Sequence, residues 1–97
     1  LSKVHRIEQK TPNDPEFAFF CPGCQCAHCF KTTGSNPRWN FNGDVDRPTI
    51  TPSIRTFGSD SSGKELRCHS YVADGSIQFL ADCSHKLAGK KVALEEF

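Results

Sequence analysis

Excess charge, long apolar runs and repeats are all missing from this chain, and each absence removes a class of function. Twelve Lys and Arg stand against 11 Asp and Glu, a net charge of +1 over 97 residues. Such a balance generates no field to concentrate a polyanion, and no extended basic run appears, so nucleic acid is not an expected partner. The longest uninterrupted apolar run is Phe17 to Cys21, far short of the roughly 20 residues a membrane helix needs. The first residues, from Leu1 to Arg6, lack the apolar core of a secretory signal. A cytoplasmic location is expected, with no membrane partner. Without repeats, low-complexity tracts or an evident linker, residues 1–97 are expected to form a single small domain.

What the chain does have is cysteine. Four of its six lie in Cys21-Pro22-Gly23-Cys24-Gln25-Cys26-Ala27-His28-Cys29, and the other two stand beside or near a histidine, in Cys68-His69 and Cys83-Ser84-His85. In a reducing compartment, clustered thiols serve metal binding or catalysis more often than disulfides, and C-x-C and C-x-x-C spacings make poorly separated bridges. A C-P-G-C turn aims two thiolates from one tight loop, leaving the rest of a tetrahedral zinc shell to distant sequence. Structural Zn2+ would stabilise a domain of this size by on the order of 10 kcal/mol, comparable with its whole net stability.

The remaining sequence reads as a small β-rich domain of short antiparallel strands and hairpins, with a zinc-ribbon-like knuckle and at most one short helical turn, over Ser84 to Gly89. Glu16 to Cys21 enters the knuckle and Phe30 to Thr33 leaves it. Trp39 and Phe41 precede an Asn42-Gly43-Asp44 turn, and Thr49 to Arg55 forms a strand in which Pro52 marks an edge or bend. Gly58 to Gly63 reads as a flexible loop, and Val92 and Leu94 as a last strand.

Asp74-Gly75 is the favoured pair for a two-residue type I′ turn. Taking it as the tip of a hairpin from Leu66 to Cys83 opposes Ala73 to Ser76, Val72 to Ile77, Ser70 to Phe79 and Cys68 to Ala81. Cys68, Ser70, Val72, Ile77, Phe79, Ala81 and Cys83 then share one face, and His69, Tyr71, Gln78, Leu80 and Asp82 the other. On the first face, Cys68 and Cys83 are diagonal neighbours able to complete a four-sulfur site with Cys21 and Cys24. His85 rivals Cys83 as the fourth ligand, and Cys26, His28 and Cys29 are expected outside the shell. On the second face Asp82 comes diagonal to His69, the base and orienter of a nucleophilic triad. The most suggestive hydroxyl for it is Ser53, whose approach Pro48 and Pro52 stiffen.

The pattern Cys21-Pro22-Gly23-Cys24, His28, Trp39-x-Phe41-Asn42-Gly43-Asp44, Pro48-Thr49-x-x-Pro52-Ser53-Ile54, Cys68-His69-Ser70 and Asp74-Gly75-x-Ile77-x-Phe79-Leu80-x-Asp82-Cys83-x-His85 resembles a family of small uncharacterised zinc-binding proteins from tailed phages and bacterial mobile elements. Members often carry the name ammonia monooxygenase, which fits poorly a chain without a membrane span whose cysteines suit zinc better than redox copper. Relatives in operons for ubiquitin-like protein conjugation resemble serine peptidases. The resemblance implies a bacterial, phage-encoded or host protein in which Ser53 attacks a carbonyl, His69 takes its proton and Asp82 orients His69, with His85 as the alternative base. The implied substrate is a protein or peptide, ubiquitin-like in type, and the implied zinc is structural, because a closed shell leaves no position for substrate. Two competing readings stand beside it. One is a non-catalytic zinc-ribbon module that docks a host or phage protein through Trp39, Phe41 and Tyr71. The other is a redox protein working through Cys24, Cys26 and Cys29.

Overall fold

Period-two alternation decides the longest strands. Between Glu65 and Ala73, Cys68, Ser70 and Val72 are buried while Arg67, Tyr71 and Ala73 are exposed, as expected when successive side chains point to opposite faces of a half-buried sheet. A computed structural model describes residues 2–59 and 61–97. Its strands are β1 (Val4–Arg6), β2 (Phe17–Cys21), β3 (Cys26–Phe30), β4 (Asn40–Phe41), β5 (Ile50–Ser59), β6 (Glu65–Ala73), β7 (Ser76–Phe79) and β8 (Lys91–Ala93). They form two antiparallel sheets, β1-β2-β3 and β4-β5-β6-β7-β8. Among the described residues there is no helix, and so none long and apolar enough to cross a membrane. The chain is therefore the small β-rich fold its sequence predicts.

One buried cluster joins the sheets: Val4, Phe19, Cys21 and Phe30 from the first meet Ile50, Ile54, Cys68, Val72, Ile77 and Phe79 from the second. Phe19 and Phe79 are fully buried, each contributing roughly 1.5–3 kcal/mol of apolar transfer. Among the described residues the one buried carboxylate, Glu16, is satisfied by the Thr32 N–H and hydroxyl, at 2.9 and 2.7 Å.

Asp74 and Gly75 both take positive φ, 52° and 81°, as a type I′ turn requires. The register then follows as expected, with Ala73 opposite Ser76, Val72 opposite Ile77 and Ser70 opposite Phe79. It departs from expectation after Phe79. The Leu80 N–H still reaches the His69 carbonyl at 2.9 Å, but the next backbone bond to β6 comes from Ser84, to the Arg67 carbonyl at 2.9 Å. Cys68 does not pair with Ala81. The residues between Leu80 and Ser84 loop outward, and because the slip relative to ideal pairing is an even number of residues, face parity is kept.

Other differences are local. β5 extends to Ser59 and is covered by β4 only at Ile50 and Thr51, so Pro52 stands where the covered part gives way to an edge; between Ile50, opposite Val72, and Ile54, opposite Ser70, the ladder is irregular. Proline cannot donate to a ladder, which is why the irregularity falls there. β3 starts at Cys26, earlier than predicted. Ser84 to Gly89 forms turns without a helix, since the Ser84 hydroxyl accepts the Arg67 N–H at 2.8 Å and is not available as a cap. Of the expected Gly58 to Gly63 loop, Gly58 and Ser59 belong to β5 and Asp60 lies outside the described residues, as does Leu1. Trp39 and Phe41 are not a presented surface: both are partly buried, and Phe41 meets the rings of Phe17 and Phe30 at 4.9 and 5.6 Å.

Candidate functional site

The knuckle is the tip of the β2–β3 hairpin, where Cys21 faces Cys26. Gln25, at φ 57°, donates its N–H to the Cys21 carbonyl at 2.8 Å, and the Cys24 N–H points at Cys21 Sγ at 3.4 Å. Both thiols thus emerge from one loop. The inner face of β6 brings Cys68 to them, its Sγ 3.9 Å from that of Cys21. A tetrahedral shell with Zn–S bonds of ~2.3 Å has ligand–ligand edges of about 3.8 Å, so this spacing already suits one ion between the sulfurs. All six cysteines are free thiols.

Beside Cys21, Cys24 and Cys68 the structure brings a further candidate donor, His28, which the sequence reading leaves outside the shell. Cys21, Cys24, His28 and Cys68 place one ligand atom each within 4.8 Å of all the others, whereas Cys83 and His85 group only with Cys68. His28 is buried and its Nε2 has no hydrogen-bond partner; Ser70 Oγ is the other buried polar atom in that condition. A buried imidazole beside three sulfurs, with one ring nitrogen left unpaired, fits a metal ligand, since a buried polar atom without a partner costs about 1–3 kcal/mol. The signal was present in the sequence: Phe30 points to the core, and a period of two places His28 on the same face.

His85 is engaged differently. Its Nδ1 accepts the Leu87 N–H at 3.2 Å, so the neutral ring carries its proton on Nε2, which lies 3.5 Å from Cys68 Sγ and can donate to it. It supports the Cys68 sulfur from outside the cluster. The ring sits over Gly23, where an added Cβ would come within 2.3 Å of it; the glycine of the C-P-G-C turn is the space His85 occupies. Cys83, whose sulfur is within 4.8 Å of that of Cys68, is also engaged with backbone. Its Sγ accepts the His69 N–H and lies 3.2 Å from the His69 carbonyl, tying the outward loop to β6.

Packing the thiols together splits their acidities. A hydrogen bond from Cys68, opposed by burial, is the main reason the Cys21 thiol is lowered to about 4. Burial first, then the Cys21 charge, pushes Cys24 up to about 12. Cys68 is raised, chiefly because it donates to Cys21. Each thiolate thus makes the next harder to form, and a divalent cation is what would let the other thiols ionise. Cys26, on the exposed side, is also raised, by burial first and the Cys21 charge second, which disfavours the thiolate a redox role needs.

The outer face of β6 carries the other constellation. Arg55 lies opposite His69, so Ser53 on β5 is its diagonal neighbour. Ser53 Oγ lies 2.9 Å from His69 Nε2, and the Trp39 indole N–H holds the Ser53 carbonyl at 3.2 Å. On the far side of the ring, Asp82 Oδ2 is 3.4 Å from His69 Nδ1, longer than an ordinary hydrogen bond. The carboxylate favours the tautomer with hydrogen on Nδ1, leaving Nε2 to accept the Ser53 hydroxyl proton. His69 is mostly buried and Asp82 half exposed, with side-chain accessibilities of 16% and 51%. A groove of about 170 Å³ lined by Arg55, Phe57, Arg67, Cys68, His69 and Asp82 opens beside the ring. Thus Ser53, His69 and Asp82 are brought together, and His85 is on the other side of β6 with the sulfurs.

Comparison with curated proteins and with solved structures gives no match. A family model described as the bacterial ubiquitination-like system serine protease (BubE) matches residues 2–80, a span that includes the knuckle, Ser53, Cys68 and His69 and ends just before Asp82. The chain belongs to that family.

Proposed function

We propose that the chain is a bacterial cytoplasmic serine peptidase, one zinc-stabilised domain over residues 1–97, that cleaves an acyl bond in a ubiquitin-like protein or its conjugates. The observation that carries this reading is the 2.9 Å approach of Ser53 Oγ to His69 Nε2, with Asp82 on the opposite ring nitrogen. Ser53 Oγ attacks the substrate carbonyl carbon while its proton passes to His69 Nε2. The acyl carbon–nitrogen bond then breaks, His69 returns the proton to the leaving amine, and an ester to Ser53 remains. Water attacks that ester as His69 again accepts a proton, releasing a carboxylate and restoring Ser53. Asp82 stabilises the imidazolium in both halves.

Cys21, Cys24, His28 and Cys68 would hold the zinc. It would supply cross-linking between the knuckle and β6 and no step of the reaction, since four protein ligands close its shell.

An alkyl fluorophosphonate reacts with an activated serine whatever the natural substrate. It should label the wild-type protein at Ser53 and leave Ser53→Ala unlabelled, with metal content and melting temperature unchanged in the variant. A wild-type protein that stays unlabelled, or a Ser53→Ala protein labelled equally, removes Ser53 from the mechanism.

A further inference from the structure

The pairing of β5 is uneven along its length. β4 covers only Ile50 and Thr51, and the Trp39 indole closes the position of the Ser53 carbonyl. Beyond that point β5 continues to Ser59 with β6 on one side and, among the described residues, no strand on the other. The direction of its backbone groups there can be worked out. His69 directs its carbonyl to Leu80, and Arg67 directs both carbonyl and N–H to Ser84, all away from β5. In an antiparallel ladder, residues opposite such positions form the non-hydrogen-bonded pairs. Arg55 faces His69 and Phe57 faces Arg67, so their N–H and C=O groups point outward from the open edge. No backbone or side-chain group of the described residues reaches them.

That edge starts at Ser53. Its outer face also carries Phe57, 66% exposed, and Arg55, which has no ion-pair partner among the described residues and lines the groove beside His69. Exposed edges are usually blunted or covered. Here the backbone groups left unpaired are the complement of one kind of ligand, an extended polypeptide.

We propose that the open edge of β5 beyond Ser53 is the docking rail for the substrate polypeptide, which adds as a further strand through main-chain hydrogen bonds to Arg55 and Phe57 and so delivers its scissile carbonyl to Ser53 Oγ. The inference rests on the reading of Ser53 as nucleophile and adds to it the form in which substrate is recognised: extended main chain, with side-chain selectivity left to Arg55 and Phe57.

The test compares three probes on the full chain: an alkyl fluorophosphonate, a tetra-alanyl phosphonate, and the same peptide N-methylated at alternate amides. Alanines supply main chain and almost nothing else. The peptidyl probe should label Ser53 about tenfold faster than its N-methylated form, the effect of one or two added hydrogen bonds. Phe57→Pro removes an N–H that has no internal partner. With its melting temperature kept, it should label at the same rate with the plain and the N-methylated peptide. Equal rates for the plain and N-methylated peptides overturn the rail, and that result does not depend on any variant folding. If the alkyl probe labels nothing, the nucleophile reading has failed separately, and hydrogen exchange judges the edge. Slowed exchange of the Arg55 and Phe57 amides in the presence of tetra-alanine supports strand addition, and unchanged exchange overturns it.

Discussion

Cys68 and His69 are consecutive in β6, yet they serve two regions with different physics. Cys68 points inward to a largely buried group in which three sulfurs and a ring nitrogen of His28 lie within 4.8 Å of one another. His69 points outward to a hydroxyl on one side and a half-exposed carboxylate on the other. The inner group joins two sheets, so whatever binds it is coupled to the whole fold. The outer group needs only two neighbouring strands and a loop, and its members can change without disturbing the core. One strand thus separates the candidate metal cluster from the candidate Ser53–His69–Asp82 group.

The largest expected effect tests that separation from the inside. Removing metal with a chelator, or replacing Cys21 by Ser, should cost on the order of 10 kcal/mol and unfold the chain, read as loss of the cooperative thermal transition. A protein that stays folded and metal-free would dissolve the distinction between the two faces. A smaller effect asks where the inner group ends. His28→Ala should lower zinc affinity at least a hundredfold in a chelator competition, whereas Cys83→Ser should change it less than tenfold, because Cys83 is engaged with the His69 backbone. The reverse order would put the fourth ligand back on Cys83. The smallest effect sharpens the outer side. Asp82→Asn should lower kcat/KM by about tenfold to a hundredfold, less than for a buried, tightly bonded triad carboxylate, because Asp82 is half exposed and 3.4 Å from the ring. Its melting temperature should stay near that of the wild type, and a shared loss of activity and stability would contradict the independence of the outer face.

Much of this could be read locally. The Asp74-Gly75 turn demanded positive φ at both residues, and from that alone the sorting of Cys68 and His69 to opposite faces followed. The expected position of Asp82 held for a different reason than foreseen: the ladder breaks after Leu80, and Cys83 and Ser84 hold the resulting loop to the β6 backbone at His69 and Arg67. The prolines near Ser53 mark it in the sequence, but what orients it is an irregular stretch of β5 and the indole of Trp39.

By itself, then, the order of residues determined the β class, the hairpin register, the pairing of Cys21 with Cys24 in one knuckle and the two faces of β6, because each depends on backbone torsions and a period of two within a few residues. Only the tertiary structure decided that the knuckle thiols and His28 meet Cys68 across the two sheets while Cys83 and His85 gather on Cys68 alone, and that β5 keeps an open edge leading from Ser53. Those outcomes depend on how two sheets settle against each other to bury Phe19 and Phe79, and burial summed over a whole core leaves no mark at any single position.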